Sequence, residues 1–322
     1  MSAPTPRRCV NAEIVATLGP ASMGLPSELL EAGATAFRLN ASHMPPGELA
    51  STARAARAAC SQVPIVVDLQ GAKIRLGRFE PRALGPEDTL VFALRPRRDE
   101  VPLPHPEVFE AAQPGDTLSS DDGRVRFRVT AAQAELLETR VLTGGLLMPG
   151  KGFNVLDHPV RLRTLTRADR DAVAAVSGIP GTSFALSFME DGRETAWVRG
   201  IAPGHRVIGK IERREAVENI AAIAATVDSV WICRGDLGAQ LGLREMAAWI
   251  SAYDPLSSKV PVLMAGQVLE HMTRHPEPTR SEACHIVDLR GRGYAGFVLS
   301  DETAIGHDPV RAVRTIRELC AT

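Results

Sequence analysis

Lysine is the scarcest of the common charged residues in this chain. Of 37 lysines and arginines only four are lysine: Lys73, Lys151, Lys210 and Lys259. A sequence that favours arginine so strongly keeps lysine where a compact, flexible ammonium cannot be exchanged for a planar guanidinium. Chance survival covers Lys259, in a polar loop before a strand; the other three fall in motifs. Cysteine is also sparse. Cys9, Cys60, Cys233, Cys284 and Cys320 are scattered, odd in number and form no C-x-x-C, which fits a reducing cytoplasm better than a disulfide framework or a zinc site. No apolar run is long enough to span a bilayer, and the arginine-bearing start has no apolar segment before a cleavage site, so neither membrane nor secretory signal is expected. A net charge of -1 leaves no broad basic footprint for nucleic acid. Internal repeats and low-complexity tracts are missing as well.

What is present is alternation. Short Val/Ile/Leu runs at 13–19, 36–42, 64–70, 182–188, 206–212, 229–235, 260–266 and 295–301 alternate with Ala/Glu/Arg stretches of helical period, such as "ADRDAVAAV" and "DPVRAVRTIRELCA". Eight strands with crossover helices predict an α/β fold, a (β/α)8 TIM barrel, over residues 1–71 and 156–322. A doubly wound open sheet competes, but it would not normally place polar residues at the ends of all eight strands. Residues 72–155 change texture, with Pro and Gly turn signals and alternating segments such as "RVRFRVT" and "LLETRVL". They predict a small β-rich, barrel-like domain inserted after the third strand. Its glycine-rich return, "GGLLMPGKGFNV", suits a lid that closes over the barrel mouth and excludes water.

Barrel active sites lie where strands end. Those ends carry Thr17, Ser22, Arg38, Asn40, Ser42, His43, Asp68, Lys73, Arg75, Ser187, Lys210, Glu212, Asp236, Gln267, Ser300 and Glu302. Charge is costly in such apolar runs unless partnered. In "GKIERREAVENIAAIAATVDSVWICRGDLG", Lys210 and Glu212 are two apart and share one face, and Asp236 closes the neighbouring strand. Two carboxylates there suit Mg2+ or Mn2+, and the ammonium beside them suits a transferring phosphoryl group. A purely structural Lys–Glu–Asp network is the competing reading. Gly235 and Gly238 around Asp236 leave backbone N–H groups exposed to bind a carboxylate or phosphate, or form a plain surface turn.

Taken together, "IVATLGPAS", "FRLNASH", "SSDDGRV", "GKGFN", "SF", "KIE", "RGDLG", "HPEPTRSEA" and "LSDETAIGHDP" resemble the pyruvate kinase family in order and near its spacing, from about residue 12 onward. The resemblance implies transfer of phosphate from phosphoenolpyruvate to ADP, giving pyruvate and ATP. It implies Glu212 and Asp236 as Mg2+ or Mn2+ ligands, Lys210 as the lysine bridging the transferred group, and Arg38 as the arginine holding that phosphate. Asn40, Ser42, His43, Arg75 and Lys151 resemble residues around the nucleotide phosphates, and Asp122 falls in the family's Asp-Asp-Gly turn. Ser187, Gly235, Asp236 and Gly266 are expected around the substrate, with the Gly235 and Asp236 backbone on its carboxylate.

The sequence also departs from the family. "DLQGAKIR" carries Lys73 in place of the acidic residue of potassium-dependent members, with Leu69 and Gln70 also changed. It resembles the potassium-independent branch, so no K+ requirement is expected, the Lys73 ammonium standing for the cation. "MAGQVLE" has Gly266 where the family has threonine, and "LSDET" has Asp301 for glycine. The sequence stops after the eighth helix, which implies loss of the family's C-terminal domain and its sugar-phosphate effector site. Gly266 motivates an alternative, a homologue acting on another enol phosphate or 2-oxo acid. A metal-dependent lyase or decarboxylase that stabilises an enolate is a further alternative. A homo-oligomer formed through the barrel is compatible with the sequence.

Overall fold

The computed structural model describes residues 11–121, 123–158 and 160–321, so Cys9 and Asp122 lie outside the described residues. The chain divides into two compact units, one of residues 1–71 and 166–322 and one of residues 72–165.

In the first unit, among the described residues, eight parallel strands close into a barrel: β1 (Glu13–Thr17), β2 (Ala36–Asn40), β3 (Ile65–Leu69), β4 (Thr182–Leu186), β5 (Val207–Ile211), β6 (Ser229–Cys233), β7 (Val262–Ala265) and β8 (Gly296–Leu299). Each strand pairs with its sequence neighbours, and β8 returns to β1 through Glu13 opposite Gly296. All eight expected strands form, each shorter than its apolar run. The largest correction falls at β6. Arg234 and Gly235, expected as strand, open the helix Arg234–Leu241, and Asp236 lies in that helix's first turn rather than at a strand end.

The two-residue period of a strand decides what fills the barrel. Val15, Ala36, Val66, Ala185, Ile208, Trp231, Leu263 and Val298 belong to one buried cluster inside it. Trp231, the bulkiest member, is 1 % exposed and shares the cluster with Ala36, Ala185 and Ala265. Two residues further along the same faces stand Thr17, Arg38, Asp68, Ser187, Lys210 and Cys233. The apolar floor is therefore overlaid by a layer of charge and hydroxyls at the C-terminal end.

The outer helices form for ordinary reasons. Pro309–Cys320 begins on proline, is capped by Asp308 accepting from the Arg311 N–H at 2.9 Å, and buries Pro309, Ala312, Val313 and Ile316 at i, i+3, i+4 and i+7. Thr279 and Glu282 form a reciprocal capping box at the start of Arg280–Gly291. The stretch "REAVENIAAIAA" forms two short helices, Arg214–Glu218 and Ile220–Ala224, broken at Asn219.

In the second unit, among the described residues, six strands form a sheet in the order Phe153–Val155, Thr117–Ser120, Val125–Ala132, Leu136–Thr143, Thr89–Ala93, Val101–Pro102. A two-stranded sheet joins Arg82–Leu84 to Gly145–Leu147. Val125–Ala132 alternates buried and exposed residues, as its sequence demands. Phe92 anchors the core, with the Phe127 and Phe153 rings edge-on at 5.1 and 5.0 Å. A short helix, Pro106–Ala111, interrupts the otherwise β-rich pattern.

Candidate active site

The charged layer is assembled from neighbouring strands. The Arg38 guanidinium, on β2, donates from Nε to Asp68 Oδ2 at 2.7 Å, with Nη2 at 2.6 Å from the same oxygen, and from Nη1 to the Thr17 hydroxyl at 3.0 Å. Lys210, on β5, donates from Nζ to both Asp68 oxygens at 3.1 Å and to Ser187 Oγ at 2.9 Å. Its third neighbour is Glu212 Oε1 at 2.9 Å. The other Glu212 oxygen accepts from the Phe188 N–H at 2.8 Å. Phe188 holds φ of +56°, an uncommon conformation for a bulky side chain and one kept at the head of this site.

Asp68 joins the two cations. It was visible in sequence as an acid at a strand end, yet nothing there gave it a role, because Lys210 is 142 residues away. Thr17 and Cys233 join the layer in the same way, from the first and sixth strands.

The electrostatics follow from burial and pairing. Burial opposes ionisation of Asp68, but the Lys210 ammonium and the Arg38 guanidinium outweigh it and hold the carboxyl below the ordinary carboxylate range. Burial likewise disfavours the Lys210 ammonium, and Asp68 and Glu212 more than offset this, leaving it far more basic than a free lysine. Lys210 therefore stays charged across the whole working pH range. The Cys233 thiol is pushed well up, first by burial and then by Glu212, so it is neither a thiolate nor a ready metal ligand. Arg38 and Lys210 formally balance Asp68 and Glu212.

Gly235 and Asp236 open the helix Arg234–Leu241, whose N-cap, Cys233, makes no side-chain capping bond. The first turn of a helix directs its N–H groups outward, where they favour an anion. Gly266 lies against this turn: a Cβ built there would stand 3.3 Å from the Gly235 nitrogen and 3.4 Å from that of Arg234. Arg234 holds the arrangement, donating from Nε to Gly266 O at 2.9 Å and from Nη2 to Gln267 O at 2.7 Å. Gly266 adopts φ of +79° and Gln267 +53°. A threonine in Gly266's conformation would be strained. Asp301 is exposed.

Asn40 ends β2 and Ser42 and His43 lie in the turn that follows; Asn40 Oδ1 accepts from the Ser42 N–H at 3.1 Å, and Ser42 and His43 are exposed. In the second unit, Arg75 pairs with Gly152 as an antiparallel bridge and donates from Nη1 to Gly150 O at 2.9 Å. Lys151 Nζ lies 2.9 Å from Asp121 Oδ1, and the Lys73 Cε sits where a Cβ on Gly152 would come within 3.4 Å. Lys73, Arg75 and Lys151 are thus gathered on two adjoining backbone segments of that unit.

As for a metal, no group of three or more His, Cys, Asp or Glu side chains among the described residues converges as a closed cage. The carboxylates of Glu212 and Asp236 are hard oxygen donors carried by adjacent strand–helix junctions. That suits an oxygen-preferring divalent cation that keeps several waters, and does not suit a soft metal. A cavity of about 460 Å3 lies at the opposite end of the barrel, lined by residues including Ser177, Gly181, Thr182 and His205, remote from this charge.

Residues 9–313 match the family model described as pyruvate kinase, barrel domain. The chain belongs to the pyruvate kinase family. It is 32% identical over 327 residues to pyruvate kinase of Methylorubrum extorquens, covering 97% of this chain and 68% of that protein. A pyruvate kinase of Agrobacterium vitis is 35% identical, over 95% of this chain and 67% of its own. Among solved structures, pyruvate kinase from Pyrobaculum aerophilum superposes with a TM-score of 0.82 at 27% identity, covering 97% of this chain and 73% of that one. Pyruvate kinase membership favours a phosphotransferase over the lyase and the other-enol-phosphate readings. No helix among the described residues is long and apolar enough to cross a membrane.

Proposed function

We propose that this chain transfers the phosphoryl group of phosphoenolpyruvate to ADP, giving pyruvate and ATP. The observation that carries the reading is the buried ammonium of Lys210, fixed by Asp68, Ser187 and Glu212 and unable to lose its proton at working pH. Phosphoryl transfer needs positioned positive charge more than it needs covalent help from the protein. Lys210 and Arg38 supply that charge in a water-poor layer, already oriented, so little reorganisation accompanies the reaction. Asp68 keeps the two cations aimed at one point.

In this reading the substrate carboxylate rests on the Gly235 and Asp236 N–H groups, with the space left by Gly266 beside it and Ser187 across the layer. Glu212 and Asp236 would hold a divalent cation, Mg2+ or Mn2+, whose positive charge would offset the negative charge of the transferring phosphoryl group. Asn40, Ser42, His43, Arg75 and Lys151 serve the nucleotide phosphates. The bond from phosphorus to the enol oxygen breaks, a bond to a β-phosphate oxygen of ADP forms, and the enolate takes a proton at carbon to become pyruvate. Gly266 has no hydroxyl to offer that proton.

Lys73 stands for the monovalent cation, a fixed ammonium in place of K+. A coupled assay with phosphoenolpyruvate, ADP and Mg2+, in buffer free of sodium and potassium, tests both statements. Turnover is expected, and added K+ is expected to change it less than about twofold. Absence of turnover overturns the transfer reading; strong activation by K+ overturns the role of Lys73 alone.

A further inference from the structure

The chain leaves the barrel unit at Gly71 and returns to it at Thr166. Both crossings converge on one side chain that the chemistry above does not use. Asp169 is 2 % exposed and sits in the first turn of the helix Arg167–Val176. Thr166 caps that helix, accepting from the Asp169 N–H at 3.1 Å. The Asp169 carboxylate also takes a hydrogen bond from the Thr166 side chain. It reaches across to the end of β3, where Oδ1 accepts from the Gln70 N–H at 2.8 Å and Oδ2 from the Gly71 N–H at 3.0 Å.

Two successive peptide N–H groups bound by one carboxylate form a rigid clamp, because both oxygens are used and neither peptide can rotate alone. Gly71 lies in the left-handed region at φ of +60°, and a Cβ there would fall 2.3 Å from Ser187 O. The clamped segment is therefore pressed onto the end of β4. The residues immediately before it, Asp68 and Leu69, meet Ser187 Oγ: the hydroxyl is 3.3 Å from Asp68 Oδ1 and donates to Leu69 O at 2.8 Å. Lys210 bonds to both Ser187 and Asp68.

We propose that Asp169 is a positioning residue for phosphoryl transfer, its carboxylate locking the peptides that follow Asp68 so that Asp68 and Ser187 hold the Lys210 ammonium in one place. The inference rests on the role given to Lys210 above. Burial pushes the Asp169 carboxyl up to about 6, so its charge is kept against the surroundings. Such an unfavourable group is more readily explained by geometry than by stability. Asparagine is its nearest isostere but offers one acceptor, and its amide would turn a donor toward the second N–H.

The experiment compares wild type with Asp169→Asn, Asp169→Ala and Arg167→Ala, each confirmed as folded by circular dichroism. Steady-state transfer from phosphoenolpyruvate to ADP is read beside hydrogen-exchange mass spectrometry of the peptide spanning Gln70 and Gly71. In Asp169→Asn, kcat is expected to fall about tenfold with KM for phosphoenolpyruvate changed less than about twofold, and Asp169→Ala is expected to fall further. Exchange at Gln70 and Gly71 is expected to quicken in the same order. Arg167→Ala changes an exposed residue of the same helix turn, paired with Asp171 and not with the clamp, and is expected to keep both values near wild type. Unchanged exchange in both Asp169 variants overturns the proposal, as does an Arg167→Ala enzyme as impaired as Asp169→Asn. Should wild type not turn over phosphoenolpyruvate, the kinase reading fails separately, and the exchange data alone then support or overturn the clamp.

Discussion

At the residue scale, the site works by setting two cations against two carboxylates where neither could stand alone. Removing one partner from such a buried set typically costs about 3–5 kcal/mol, because it strands an uncompensated charge. Lys210 was legible in sequence because lysine is scarce here and because Glu212 shares its face. Asp68 was visible only as an expensive residue in "PIVVDLQ"; its partners come from strands separated by long stretches of chain, which spacing does not report. Gly266 was legible as a missing hydroxyl, but its left-handed backbone was not. That conformation carries its own expectation. Gly266→Ala places a Cβ 3.3 Å from the Gly235 nitrogen and is expected to cost about 1–2 kcal/mol of stability. Steady-state kinetics should show KM for phosphoenolpyruvate raised more than kcat is lowered, since the added methyl covers the N–H assigned to the carboxylate. An unchanged KM removes that N–H from substrate binding.

At the scale of elements, the strands were readable because apolar period-two runs bounded by turns have few other solutions. Their ends were not. The run through β6 continues into Arg234 and Gly235, but the helix begins there, which swings Asp236 from a strand end to a helix first turn. Glycine on both sides of Asp236 left strand, turn and helix equally open to the chain. The clamp at Asp169 was invisible for a different reason: "TRAD" is an ordinary helix start, and only the fold brings it to Gln70 and Gly71. This element also has a pH signature. An Asp raised to about 6 in the folded state, against about 3.9 unfolded, binds its proton more tightly when folded. Stability therefore falls as pH rises from about 4 to about 6, by a figure on the order of 3 kcal/mol. Asp169→Asn does not titrate. Thermal melts at pH 4.5 and 7 should show the variant's melting temperature gaining on wild type as pH rises; a constant difference contradicts the raised carboxyl.

At the scale of the whole molecule, a closed barrel places the C-terminal ends of all its strands around one rim, and here the sequence uses most of them. The interior below is apolar and filled by Trp231, so the charge has no route downward and must face what enters from above. This division explains why the alternation of elements was readable while the chemistry was only half so: the floor repeats locally, and the rim exists only once the barrel closes. The second unit was readable as β-rich from its turns and alternation. Its short helix and the gathering of Lys73, Arg75 and Lys151 depend on pairings between segments some 75 residues apart. The central claim is that the Lys210 ammonium, held by Asp68 and Glu212, lowers the barrier to phosphoryl transfer. The most direct test is kcat for transfer from phosphoenolpyruvate to ADP in Lys210→Met, a variant of similar length without the charge. A fall of at least about a hundredfold, in a protein that still folds, is the result expected; a Lys210→Met enzyme with kcat within twofold of wild type would contradict the account.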